Sequence, residues 1–229
     1  MITIRLSTDR GTADHGWLQS RHTFSFASYY DAEFMGVSQL RVINDDYVTA
    51  GNGFDTHSHQ DMEIISYVKK GRIEHKDSMG NIKILPAGEF QVMSAGTGVT
   101  HSEYNPSSDE PLEFLQIWIQ PNVLGIEPSY QQKHFENKSE LQLIVSPDGR
   151  NGSLKIHQDA CLYQLILDKQ QTISVPIETG RTAYVHVVSG NINVLGEVLN
   201  EGDGATLFQV DAIEFIANSN SEVLLFDLP

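Results

Sequence analysis

Short runs of Val, Ile, Leu, Phe and Tyr recur along the whole chain between clusters of Gly, Asn, Asp and Pro, among them residues 39–43, 64–68, 114–119, 141–145, 183–188 and 222–226. Apolar runs of about four to eight residues punctuated in this way are strands joined by tight turns. No long stretch sustains the 3.6-residue period of an amphipathic helix. The pattern predicts an all-β chain.

A faint internal repeat divides it. Residues 67–75 resemble residues 186–194, and residues 85–89 resemble residues 199–203, each displaced by about half of the 229 residues. In both copies a strand passes through a glycine, Gly71 or Gly190, into the next strand. A second glycine, Gly88 or Gly202, then precedes Glu89 or Asp203 at a turn. That sequence of events suits consecutive hairpins of a small barrel. The expected architecture is two stacked antiparallel β-barrels over residues 1–125 and 126–229, with residues 121–140 as a connecting segment rich in Pro, Gly and polar side chains.

Composition narrows the function. Hydrophobic residues make up 40% and charged residues 20%, an ordinary globular balance. Thirty acidic against 15 basic residues give a net charge of −15 with no basic run, which disfavours direct nucleic-acid binding. No apolar stretch approaches the roughly 18 residues of a membrane helix, and the first residues lack the apolar core of a signal peptide. The expectation is a cytoplasmic protein without a membrane partner. Cys161, the single cysteine, can form no internal disulfide and reads as a buried apolar thiol.

The histidines carry the candidate chemistry. His57-Ser-His59 precedes one apolar run, and His101-Ser-Glu103 follows Gly96-Thr-Gly98. In an extended segment residues i and i+2 face the same way with Cα atoms about 6.6 Å apart, so each pair can reach one ion. If the segments are neighbouring strands, about 4.8 Å apart, three imidazoles and a carboxylate converge in a barrel mouth as a four-ligand metal site. Without a thiolate the set suits iron(II), manganese, cobalt, nickel or copper(II), and zinc also. An ion preferring six ligands keeps two positions open, as substrate plus dioxygen would require, so the chemistry leans oxidative. Glu63 shares the parity of His57 and His59, but an extended chain puts its Cα about 13 Å from that of His59. It reads instead as an inward hydrogen-bonding or substrate-facing group. His22, in an alternating segment, is a further candidate near the metal, whereas His75, His134, His157 and His186 read as satisfied or solvent-facing. Phe24, Phe26, Tyr29 and Tyr30 read as core, and Asp45-Asp46 and Asp109-Glu110 as solvated turns.

Gly51, His57-x-His59, Glu63 and Gly71 resemble the first motif of the cupin superfamily, and Gly80, Pro86-x-Gly88, His101 and Asn105 resemble the second. The Glu63 to Gly71 spacing is one residue longer than in that motif, and the second-motif histidine is late. Pirins share those departures, and residues 22–27, 29–31, 40–45, 57–63, 93–98 and 101–105 look like pirin signatures. The likeness runs nearly end to end, through residues 141–147 and 222–229. Resemblance to the pirin family implies a bicupin whose metal, usually iron, is held in the N-terminal barrel by His57, His59, His101 and Glu103. Pro176 and Glu178 stand where a second His-x-His would fall, which implies a C-terminal barrel without metal. Bacterial pirins of this kind are implied to be quercetin 2,3-dioxygenases, which open the central ring of a flavonol with dioxygen and release carbon monoxide. Glu103 would both ligate the ion and accept the proton of the 3-hydroxyl. Other pirins act through protein partners, so the alternative implied is a regulatory protein that senses the redox state of its iron.

Overall fold

In the computed structural model, which describes residues 1–136 and 141–229, regular structure is almost wholly β. Among these residues the helical pieces are short 3-10 turns at Ser7–Asp9 and Arg150–Gly152, and no helix is long and apolar enough to cross a membrane. The chain forms two compact units, each built from antiparallel sheets.

The unit comprising Gly11–Phe135 and Leu154–Gln158 contains a seven-stranded and a four-stranded sheet. The larger runs in the order Ser129–His134, Glu89–Ser94, Glu63–Lys70, Leu112–Ile119, Leu40–Val48, Leu18–His22, Gly11–Asp14. The smaller runs Gly53–His59, Val99–Tyr104, Arg72–Asp77, Ile82–Pro86. Side chains alternate across each strand, so each sheet can turn one apolar face inward. Leu18, Val48, Val68 and Phe114 of the larger sheet share one core with Ile73 and Leu85 of the smaller.

The unit comprising Met1–Arg10, Glu136–Ser153 and Asp159–Pro229 repeats the plan. Ile2–Arg5, Gly204–Phe208, Thr182–Ser189, Ser221–Leu228, Cys161–Leu167 and Leu141–Ser146 follow one another in its larger sheet. Thr172–Pro176, Ala212–Ala217, Asn191–Val194 and Glu197–Asn200 form the smaller. Val185, Leu207 and Leu225 pack with Ile192, Ile213 and Phe215 between them. The repeated glycines are equivalent here too. Gly71 and Gly190 both have positive φ, +79° and +86°, and a Cβ at either would run into backbone of a neighbouring segment, Pro111 in one copy and Asn220 in the other. Only glycine meets both demands without strain.

The units do not meet at a single cut near residue 125. Ile2–Arg5 pairs with the far end of the chain, Ile2 opposite Leu207 and Arg5 opposite Gly204. The expected connection contains a strand, Ser129–His134, that extends the larger sheet beside Glu89–Ser94, while residues 137–140 lie outside the described set. The segment Leu154–Gln158 is held in the first unit by a bond from the Asn122 N–H to the His157 carbonyl, 2.7 Å, and one from Gln158 Nε2 to the Gln120 carbonyl, 2.7 Å. Asp45 and Asp46 are not in a solvated turn. They lie in the strand Leu40–Val48, with Asp46 buried and Asp45 bonded to Lys69 Nζ at 2.5 Å. Cys161 is buried, but the Arg150 guanidinium donates to its Sγ at 3.2 Å, so its surroundings are not wholly apolar.

Candidate metal centre

Gly53–His59 and Val99–Tyr104 are hydrogen-bonded neighbours, and their register sets His101 opposite His57 and Val99 opposite His59. Directly opposed residues share a face, so His57, His59 and His101 project together from the smaller sheet. The register then shifts between His101 and Glu103, where Glu103 comes to face Phe54: the extra residue lies in Gly53–His59, a bulge that bends that strand. On its other side the same strand pairs His101 with Asp77 and Glu103 with His75.

The three rings of His57, His59 and His101 have centroids 4.4 to 5.0 Å apart. One ligand atom from each lies within 4.8 Å of the others, and a second group of the same compactness is formed by His75, His101 and Glu103. The expected donors therefore fall into two overlapping groups that share His101. The Nδ1–H of His57 donates to the Asp55 carbonyl at 2.7 Å, which in the neutral ring leaves Nε2 as the lone pair. Burial lowers the pKa of His59 to about 4 and of His101 to about 3, with the neighbouring histidines adding to both shifts. His59 and His101 are therefore neutral near pH 7, the form a metal needs.

The buried atoms left without a partner are the test of fit. Both ring nitrogens of His101, Oε2 of Glu103 and Nδ1 of His75 are buried and accept or donate no hydrogen bond. Such groups cost about 1 to 3 kcal/mol each when unsatisfied. The other oxygen of Glu103 is anchored, accepting from Ser66 Oγ at 3.1 Å and Gln91 Nε2 at 3.3 Å, which fixes the direction of Oε2. A cluster of imidazoles and a carboxyl group with unspent donor atoms suits one divalent metal ion.

Glu63 lies outside both groups. Its carboxylate accepts from Ser94 Oγ at 2.7 Å and pairs with His157 Nδ1 at 3.2 Å, and burial raises its pKa against those two bonds. The chain does not run extended from His59 to Glu63: one strand ends, Asp61 takes a positive φ of 48°, and Glu63 begins a strand of the other sheet. The distance argument thus started from a wrong premise, although Glu63 is indeed directed to other partners.

Beside the histidines is a cavity of about 370 Å³, within the range of about 300 to 1,000 Å³ of small-molecule sites. His57 and His59 open onto it with His22, Phe26, Phe54 and Trp118. Trp118 sets its ring edge-on to His59 and to Phe26, with centroids 5.0 and 5.4 Å away. His22 is buried, its Nδ1 2.9 Å from Asn44 Oδ1 and 3.2 Å from Ser20 Oγ. The aromatic group expected as core divides: Phe24 is core, Phe26 is cavity wall and Tyr30 is 73% exposed.

Sequence reasoning missed two residues. His75 is fully buried, its ring 5.4 Å from that of His101, and its Nε2 is 2.9 Å from Asp77 Oδ2. The signal was the alternation of Arg72–Asp77, where Ile73 and His75 share the inward parity. Asp46 lines the cavity, and burial raises its pKa to about 7 despite the bond from Ser20.

Comparison with known proteins gives a consistent set of likenesses. The family model described as Pirin matches residues 3–119, and that described as Quercetinase C-terminal cupin domain matches residues 143–228. Quercetin 2,3-dioxygenase of Escherichia coli strain K12 is 54% identical over 229 residues, covering 100% of this chain and 99% of the relative. The crystal structure of YhhW from E. coli superposes with a TM-score of 0.99 at 54% identity, over 100% of this chain and 98% of that one. A second structure, bacterial pirin YhhW in complex with nickel(II), superposes with a TM-score of 0.98 over 100% and 99%. YhaK, also from E. coli, gives 0.79 at 32% identity over 96% and 98%.

Proposed function

The chain belongs to the pirin family, and on that premise we propose that it is a metal-dependent dioxygenase that opens the central ring of flavonols such as quercetin and releases carbon monoxide. The observation that carries the reading is the set of buried, unspent donor atoms on His101 and Glu103 beside an aromatic-walled cavity of about 370 Å³. The names of the relatives supply the substrate class, and a nickel(II) complex of a relative supports a divalent ion. Iron is the proposed native metal, from the family resemblance and the oxidative chemistry.

His57, His59, His101 and Glu103 would hold the ion. When bound, it supplies a centre that acidifies a coordinated hydroxyl and supports electron transfer with dioxygen. The protein's own groups do the rest. Phe26, Phe54 and Trp118 offer apolar walls to a flat ring system and exclude water from it. Oε2 of Glu103, its partner oxygen tied by Ser66 and Gln91, would take the proton of the 3-hydroxyl. His22 and Asn44 present a polar rim for the remaining hydroxyls.

Oxygen uptake by the metal-loaded protein tests this. Quercetin should be turned over, and a flavone without the 3-hydroxyl should react far more slowly because it offers no acidic oxygen. Equal rates on both would refute the role of the 3-hydroxyl. No turnover of any flavonol, with metal bound, would favour a regulatory protein acting through partners.

A further inference from the structure

The four unpartnered atoms near Glu103 are Nδ1 of His75, both ring nitrogens of His101, and Oε2 of Glu103. Asp77 decides what each can become. Its Oδ1 accepts the backbone N–H groups of Met79 and Asn81, both at 3.0 Å. Its Oδ2 accepts Asn81 Nδ2 and meets His75 Nε2, both at 2.9 Å. Its other three neighbours are all donors, so the side chain accepts at every bond it makes, and it accepts the N–H of His75 Nε2 as well. Nε2 of His75 is therefore a donor, and in the neutral ring its buried Nδ1 is a lone pair that needs a donor.

Few donors are in reach. Tyr130, whose ring packs on His75 at 4.6 Å, gives its O–H to Gln91 or Gln132. Glu103 as a carboxylate donates nothing. A ring nitrogen of His101 lies within 4.8 Å of one on His75, and neither His101 nitrogen nor His75 Nδ1 has a hydrogen-bond partner in the structure. We propose that Asp77, His75 and His101 form a relay of hydrogen bonds in which His75 Nδ1 accepts the N–H of His101, so that His75 is the positioning residue that turns the other nitrogen of His101 toward the metal as a lone pair. One hydrogen bond and one ion then satisfy all four orphaned atoms. The inference rests on the reading of His101 as a metal ligand.

The test compares metal affinity and the visible spectrum of the cobalt(II)-loaded protein across variants. His75→Phe keeps a ring but has no acceptor, and should weaken cobalt(II) and nickel(II) binding by about 10- to 100-fold and shift the cobalt bands. Asp77→Asn, which can donate to Nε2 and so push the proton to Nδ1, should do the same. His75→Gln, which restores an acceptor oxygen, should recover part of the loss. Nitrogen-15 spectra of the wild-type rings, metal-free and loaded, give a readout that needs no variant: His75 should carry its proton on Nε2 in both. Affinity within twofold of wild type and an unchanged cobalt spectrum in folded His75→Phe would overturn the relay, as would a wild-type His75 protonated on Nδ1. If instead His101→Ala binds metal as tightly as wild type, the metal reading itself fails and the relay falls with it.

Discussion

Two buried carboxylates, Glu63 and Glu103, differ in what their oxygens touch. Both oxygens of Glu63 are engaged, by Ser94 and His157, whereas Glu103 keeps Oε2 free. Glutamine is nearly isosteric but neutral and a poorer ligand. Glu103→Gln should therefore lose metal and turnover together in elemental analysis and oxygen-uptake assays. Glu63→Gln should keep its ion, with activity lowered about 10- to 100-fold at most. Asp46 makes a different prediction. Its folded pKa of about 7 lies above the ordinary 3.8, because burial disfavours the charge. From about pH 4 to 7 the folded protein holds a proton that the unfolded chain has released. Its contribution to stability is thus present at the acid end and lost as pH rises through about 7. The melting temperature of wild type relative to Asp46→Asn should fall across that window, a comparison in which the opposite contributions of His59 and His101 cancel.

At the level of elements, the site is made by register. His22, Asn44, Gln116, Ser66 and Gln91 stand opposite one another on successive strands of the larger sheet and form a buried polar row. Two of its members, Ser66 and Gln91, hold Glu103. A row of buried polar groups is costly unless satisfied, and here it is spent on aiming a donor. The smaller sheet depends on close approach. Gly53 faces Tyr104, and a Cβ there would strike the Glu103 carbonyl and the Tyr104 backbone. Gly53→Ala should push apart the two strands that carry the histidines, costing about 1 to 3 kcal/mol of stability in denaturant unfolding. It should also weaken metal binding, although it removes no ligand.

For the whole molecule, the candidate donor groups among the described residues use His57, His59, His75, His101 and Glu103. The expected stoichiometry is about one ion per chain by elemental analysis, lost in His57→Ala. Because the ion binds the folded state, saturating metal at 100 times its Kd should add about 2.7 kcal/mol to stability, and a chelator should reverse the gain in a melting curve. Two tightly held ions per chain, or one that survives His57→Ala and His101→Ala, would place the site elsewhere.

Much of this was legible in the chain itself, because strand alternation and glycine-marked turns are local properties. Period-two parity alone put His57 with His59 and His101 with Glu103, and the spacing of Gly71 and Gly190 revealed the repeat whose backbone demands the structure explains. Parity does not say whether a face meets water or another sheet. Asp46 and His75 therefore passed for ordinary polar residues until the strands beside them buried both. Nor is pairing between distant strands written locally. The partnership of Ile2–Arg5 with residues near 205, the bulge of Gly53–His59 opposite Glu103, and the approach of His75 to His101 come from backbone hydrogen bonds and packing between segments far apart in the chain, which only the folded chain brings together.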